Sequence, residues 1–218
     1  MLRSLIDLDL LMNNLTGSIP TSIGNLKNLT TLYLFENSLY GSIPQEVGIL
    51  RSLTELELST NNLTGSIPSS IGNLRNLTTL YLFENSLSGS IPQEVGLLRS
   101  LTGLALHKNN LTGSIPASIR NLTNLTTLYL YENSLSGSIP QEVGMLRSLI
   151  DLQLPANNLT GSIPASIGNL RNLRTLYLQY NSLSGSIPQE VGLLRSLPDL
   201  ALYSLRPAKF GTFGNSNF

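Results

Sequence analysis

Leucine returns along this chain at fixed offsets. Aligning Leu2, Leu26, Leu50, Leu74, Leu98, Leu122, Leu146, Leu170 and Leu194 gives a spacing of 24 residues without insertion. Each turn reads L-x-x-L-x-x-L-x-L-x-x-N-x-L-x-G-x-I-P-x-x-I/V-G-x. Eight turns are complete over 2–193, and a ninth follows the pattern to Leu202. A period of 48 is superimposed, because odd and even turns form a pair copied about four times. The L-x-L stretch (Leu56-Glu57-Leu58, for example) alternates as a half-buried strand does. One strand per turn, stacked in parallel at about 4.8 Å, predicts a sheet on the order of 40 Å long.

Positions 1, 4, 7, 9 and 14 of the turn (Leu), 18 (Ile) and 22 (Ile or Val) are assigned to the core. The apolar groups of one turn do not offset the entropy of ordering 24 residues, so stacking must supply the difference. Position 12 is Asn in all eight full turns, from Asn13 to Asn181. An amide donates and accepts at once, so a column of them can satisfy the backbone where the chain leaves the strand. Fifteen of the 18 glycines fall at positions 16 and 23, read as tight bends. Eight of the 11 prolines fall at position 19, where they stop helix propagation and keep the return segment extended.

The segments NNLTGSIP, NSLSGSIP and IGNLRNLTTLYL resemble the plant-type leucine-rich repeat of receptor-like kinase and receptor-like protein ectodomains. The resemblance covers 2–202. It implies a right-handed, superhelically twisted solenoid of α/β type. That solenoid has a concave parallel sheet, short 3-10 or irregular convex segments, few true helices, and a second short-strand sheet near L-x-G-x-I. It also implies ligand recognition on the concave and adjoining lateral surface. The expected organisation is a solenoid over 2–206 and a tail over 207–218 that acts as a partial cap. The tail resembles the segment before the C-terminal cap of such receptors, but the half-turn expected between Tyr203 and Pro207 is missing. Paired-cysteine caps, a membrane helix and a kinase domain are missing as well. The expectation is therefore a repeat-only piece of a receptor, a truncated gene product or a consensus-like array. Its uncapped ends predict fraying, end-to-end association, or capping by Phe210, Phe213 and Phe218.

Candidate chemistry concentrates on positions 6, 8, 10 and 11, which face the concave side. Nine of the 13 aromatics lie there, Tyr33, Phe35, Tyr81, Phe83, Tyr129, Tyr131, Tyr177, Tyr180 and Tyr203, and none occupies a core slot. Exposed aromatic rows mark contact surfaces unless they pack on each other. Tyrosines at position 8 stand two strands apart, so each pair flanks a gap floored by an odd turn. The roomiest gap is expected between Tyr81 and Tyr129, floored by Gly103 and Ala105 and edged by His107 and Lys108. Glu57 and Gln153 occupy the same column, and with the rings they complete the expected ligand-binding set. The competing reading is that the tyrosines only shield the sheet.

Net charge is zero, with 13 basic and 13 acidic residues, which argues against a phosphate-neutralising nucleic-acid binder. The charges segregate, however. Nine acids (Asp7, Asp9, Glu36, Glu55, Glu57, Glu84, Glu132, Asp151 and Asp199) fall on the concave side, opposed there by Lys108 and Arg174. Such a face favours basic peptides or proteins. Glu46, Glu94, Glu142 and Glu190 each precede a base by five residues and suggest a surface charge ladder. Without Cys there is no disulfide, zinc-thiolate or cysteine nucleophile. The single His107 has no base-orienting partner in the pattern, and no metal or cofactor is expected. No segment reads as a membrane span or signal peptide. Eight N-x-T sequons, at Asn14, Asn28, Asn62, Asn76, Asn110, Asn121, Asn124 and Asn158, suit a secreted or cell-surface glycoprotein.

The leading expectation is a non-enzymatic module that recognises a peptide or protein, with a co-receptor as a further partner, in immune or developmental signalling. Rivals are an inhibitor of a secreted cell-wall enzyme, an ice-binding or structural rod, and a ligandless truncated array. For ice binding, the threonine pairs Thr30-Thr31, Thr78-Thr79 and Thr126-Thr127 recur only in alternate turns.

Overall fold

A computed structural model describes residues 4–194 and the backbone of a last strand at 199–201. The L-x-L stretches form one parallel sheet of nine strands in sequence order, beginning Asp7–Asp9, Thr31–Tyr33 and Glu55–Glu57 and ending Asp199–Ala201. Neighbouring strands pair at an offset of 24, so Leu8 faces Leu32 and Leu32 faces Leu56. The period read from the sequence is thus the register of the sheet, and every turn position becomes a straight column across it. Tyr203 and the aromatic tail residues lie outside the described residues.

The chain leaves each strand through position 11, which is in the left-handed region in all eight turns although none is Gly. The residues run from Met12 (φ 52°) through Lys108 (φ 54°) to Tyr180 (φ 58°). Backbone of this kind is costly for a side-chain-bearing residue, and the asparagine at position 12 holds it. Asn109 accepts from the Leu87 amide at 2.9 Å. It shares its two N–H groups among the carbonyls of Leu82 (3.0 Å), Leu106 (3.2 Å) and His107 (3.3 Å). Asn61, Asn157 and Asn181 do the same work and are equally buried.

After the asparagine, short strands such as Asn62–Thr64, Ser88–Ser90 and Asn110–Thr112 form a second, flanking sheet. It is assigned as three pieces, which backbone bonds join: Ser88 N to Gly65 O at 2.8 Å and Ser136 N to Gly113 O at 2.7 Å. Gly at position 16 takes a positive φ throughout, from 72° to 92°. Proline then precedes a five-residue 3-10 helix in each turn, Thr21–Asn25 in the first, which closes with Ile23 N on Pro20 O at 3.0 Å. Among the described residues there is no α-helix. The helical content of the solenoid is therefore entirely 3-10.

The glycines at position 23 are not bends, as the sequence suggested. Their φ is ordinary, and they permit close approach of successive 3-10 helices: a Cβ on Gly72 would sit 2.6 Å from the Glu94 carbonyl oxygen. The core assignment holds through the middle turns, where the Leu, Ile and Val slots are buried. At the first turn Leu10 and Leu15 stay exposed, and Leu5 and Leu8 are partly buried, since among the described residues they pack against a neighbouring turn on one side.

Removing one rung of the ladder leaves several buried backbone groups unsatisfied at once. Asn109→Ala is expected to destabilise by about 3 kcal/mol, read as a shift of the urea unfolding curve. Ser114→Ala, at an exposed position, is expected to change stability by less than about 0.5 kcal/mol.

Candidate functional site

Side chains of positions 8, 10 and 11 stand on the face of the nine-stranded sheet opposite the leucines. The register places Tyr33, Glu57, Tyr81, Ala105, Tyr129, Gln153 and Tyr177 in one column. Within strands, rings at positions 8 and 10 meet edge-on or tilted: Tyr33 with Phe35 at 6.1 Å, Tyr81 with Phe83 at 6.2 Å and Tyr129 with Tyr131 at 6.2 Å.

Across strands, the centre of the strip is His107. Its ring is stacked between Phe83 (4.5 Å between centroids, 9° between planes) and Tyr131 (4.2 Å, 20°), with the edge of Tyr129 at 5.9 Å. Only 7% of His107 is exposed, and its Nδ1 is buried without a hydrogen-bond partner. Burial, reinforced by the charge of Lys108, pushes the imidazole down to about 4. The sequence reading placed His107 at the edge of a gap; the structure makes it the middle of a three-turn stack. The signal was present in the position-10 column, where Phe83, His107 and Tyr131 occupy successive turns.

The open gap between Tyr81 and Tyr129 is not there. Gly103 and Ala105 are buried. Because Gly103 has no side chain, Tyr81 leans over it, with its hydroxyl 2.8 Å from where a Cβ would stand. Gly103 is thus covered by the ring meant to flank it, and Ala105 is buried beside it.

The polar groups are tied to one another. Tyr33 donates its hydroxyl to Glu55, and Tyr129 donates to Asp151 at 2.6 Å. Gln153 donates to both Asp151 oxygens at 3.2 Å. The bond to Glu55 raises the Tyr33 phenol, and burial followed by the bond to Asp151 raises that of Tyr129. Lys108 pairs with Glu84 at 2.6 Å, and Thr60 donates to the same carboxylate at 3.1 Å. The bond to Lys108 lowers Glu84, and the bond to Glu84 raises Lys108. Glu57, opposite Tyr33 and Tyr81, has its carboxyl raised by burial and by neighbouring Glu55. Tyr177 pairs in register with Gln153, and Tyr180 takes the left-handed exit from its strand.

Two charge expectations change. Arg174 stands one residue before its strand beside Ser148, Ile150 and Asn172, at the edge where the chain enters the sheet and not on the strip. Lys108–Glu84 is the one ion pair among the described residues, so the ladder of Glu46, Glu94 and Glu142 with their downstream arginines does not close. Those acids sit in the first turn of a 3-10 helix, and the bases lie past its other end. Among the described residues no group of His, Asp and Glu could hold a metal ion, and no helix is long and apolar enough to cross a membrane.

Identical 24-residue turns, a parallel sheet in full register and an asparagine ladder define a leucine-rich solenoid. The chain belongs to the leucine-rich repeat family, whose model, Leucine Rich Repeat, matches 4–26, 28–50, 52–74, 76–98, 100–122, 124–146 and 172–194. It is similar to the ectodomain of the Arabidopsis receptor kinase HAESA, solved with an extended IDA peptide hormone ligand. That likeness has 41% identity and a TM-score of 0.83, over 89% of this chain and 33% of that one. It is similar to PEPR1 in the PEPR1–AtPEP1 structure at 39% identity and TM-score 0.79, over 91% and 31% of the two chains. The chain thus spans about a third of the length of these receptor structures. A plant ice-binding protein is similar at 29% identity and TM-score 0.65, over 94% of this chain and 77% of that one. Comparison with curated proteins gives no match.

The neutral, buried His107 makes stability depend on pH. The unfolded imidazole titrates near 6.5 and the folded one near 4, so the unfolded chain takes up its proton first. Stability held above pH 6.5 is lost as the pH falls to about 4, by on the order of 3 kcal/mol. His107→Phe, which keeps the stack, is expected to remove that share, read as the difference in urea midpoints at pH 7.5 and 4 between the two proteins.

Proposed function

We propose that this chain is a non-enzymatic recognition module that docks an extended peptide or protein segment along the aromatic and acidic strip of the nine-stranded sheet. The observation that supports it most is the imbalance on that strip. Glu55, Glu57, Glu132 and Asp151 share it with a row of tyrosine and phenylalanine rings and the stacked His107, while Lys108 is already paired with Glu84. A basic segment is the complementary partner: its cations answer the carboxylates, and its apolar stems lie on the ring edges. The likeness to receptor ectodomains solved with peptides, one of them together with a co-receptor, supports a peptide ligand, a location outside the cell and a co-receptor as a further partner.

A second reading, ice binding, is supported by the likeness to a plant ice-binding protein over 94% of this chain.

The peptide reading is tested by titrating the protein with a short Lys- and Arg-rich peptide and its acidic counterpart. The basic peptide is expected to bind with an affinity that falls as salt rises, and the acidic one not to bind. Replacing Tyr81 and Tyr129 together by Ala is expected to weaken binding roughly tenfold while the circular dichroism stays unchanged. Equal binding of both peptides, or no loss in the double variant, overturns it.

A further inference from the structure

The flanking sheet carries a face that the peptide reading leaves unused. Positions 13, 15 and 17 of every full turn point outward from it, and all 24 side chains are exposed. Twenty-three of them are Ser, Thr or Asn; the exception is Tyr40, and none is charged. Position 17 is serine in all eight turns. Pairing is offset by 22 residues, so Asn110 lies opposite Ser88 and Ser136 opposite Asn158. The three positions therefore form slanted rows such as Ser90–Thr112–Ser134 as well as straight columns. Glycine at position 16 keeps the face low: a Cβ on Gly113 would meet the Ser90 Cβ at 3.3 Å.

These side chains are free to bind outward. Among the described residues only the Ser136 hydroxyl bonds within the chain, at 3.5 Å to Gly113 O. The threonine pairs weighed for such a role from the sequence behave differently: Thr78 and Thr126 spend their hydroxyls on the Thr54 and Thr102 carbonyls of the preceding turn at 3.0 and 2.9 Å, and Thr30 donates to Ile6 O and Asp7 at 3.3 and 3.1 Å.

Resting on the second reading above, we infer that this flank is the ice-binding face. An ice surface is an uncharged lattice of donors and acceptors with a fixed repeat. A partner for it must present hydroxyls and amides at a fixed repeat and carry no charge, since a charged group holds its hydration water in an arrangement foreign to ice. The flank meets both conditions. Along the slanted rows neighbouring side chains stand about 4.8 Å apart from strand to strand, and along a strand about 6.7 Å apart, the scale of oxygen repeats in ice. Neutral face matches neutral solid, as the acidic strip matches a basic peptide. Four sequons, at Asn14, Asn62, Asn110 and Asn158, lie in the first column, where glycans would cover the array.

The test uses the full chain made without glycosylation, in an ice-recrystallisation assay. The protein is expected to arrest crystal coarsening. Thr112→Lys and Ser138→Lys are each expected to raise the concentration required roughly tenfold, with unchanged circular dichroism. Arg171→Glu, outside the face, is expected to leave activity intact. If the parent protein is active and both lysine variants keep full activity, the face is wrong while the ice reading stands. If the parent leaves coarsening unchanged, the ice reading and the face fail together. Retention on crystalline cellulose by a parent inactive on ice overturns the proposal in favour of a polysaccharide surface.

Discussion

The structure depends on one arrangement: a left-handed exit from each strand, held by an asparagine that bonds two turns at once. Asn109 ties its own turn at Leu106 and His107 and the previous one at Leu82 and Leu87. Since these bonds are buried, a one-residue shift between a strand and its asparagine would strand polar backbone in an apolar interior. The ladder therefore keeps successive strands and their exits in register. Exact period makes every position a column, and columns are what bring Phe83, His107 and Tyr131 together, or line up eight serines on the flank. The close approach of the 3-10 helices at position 23 adds a second restraint. Arg120 is the one residue that replaces glycine there among the full turns, and a recess lined by Arg120, Gln141, Glu142 and Met145 lies beside it.

Much of this was legible because the repeat reports its own geometry. The strand, the ladder and the core slots follow from which columns are uniform, while the second sheet was expected from the family resemblance. What the sequence left open was how side chains settle within a column. A gap between Tyr81 and Tyr129 looked roomy because Gly103 and Ala105 are small, yet smallness is what lets Tyr81 lean inward and close it. Position 10 was read for its variation, and the consecutive rings there were passed over because stacking needs the distance between turns, which the ladder sets. Arg174 was assigned to the strip on charge, although position 5 precedes the strand and lies at the edge where the chain enters the sheet.

The strip's acids are likewise not equivalent once placed. Glu84 is neutralised by Lys108, and Asp151 is engaged by Tyr129 and Gln153. Glu57, whose carboxyl is raised by burial and by Glu55, stands between two tyrosines without a cation. Attraction for a basic group is therefore strongest toward the N-terminal half of the strip, around Tyr33, Glu55 and Glu57. The apolar contact surface is concentrated further along, around His107. A ligand using both would have to be extended and run along the columns, with its cations at one end and its apolar groups at the other.

The copies within the chain supply a comparison between its two faces. On the strip, odd turns differ at nearly every outward slot: Glu57, Ala105 and Gln153 in one column, Ser59, His107 and Pro155 in the next. On the flank, the same odd turns keep Asn, Thr and Ser at positions 13, 15 and 17 without exception. Packing does not demand this. The flank side chains are exposed and nearly all free of internal bonds, and a glycine neighbour touches only the serine Cβ, which many residues share. A heterogeneous strip suits a partner with a sequence, whose side chains differ from one another. A uniform flank suits a partner that is itself periodic. One solenoid can carry both because its columns are chemically independent: changing position 8 alters the strip without disturbing position 17, as long as the asparagine between them keeps the register.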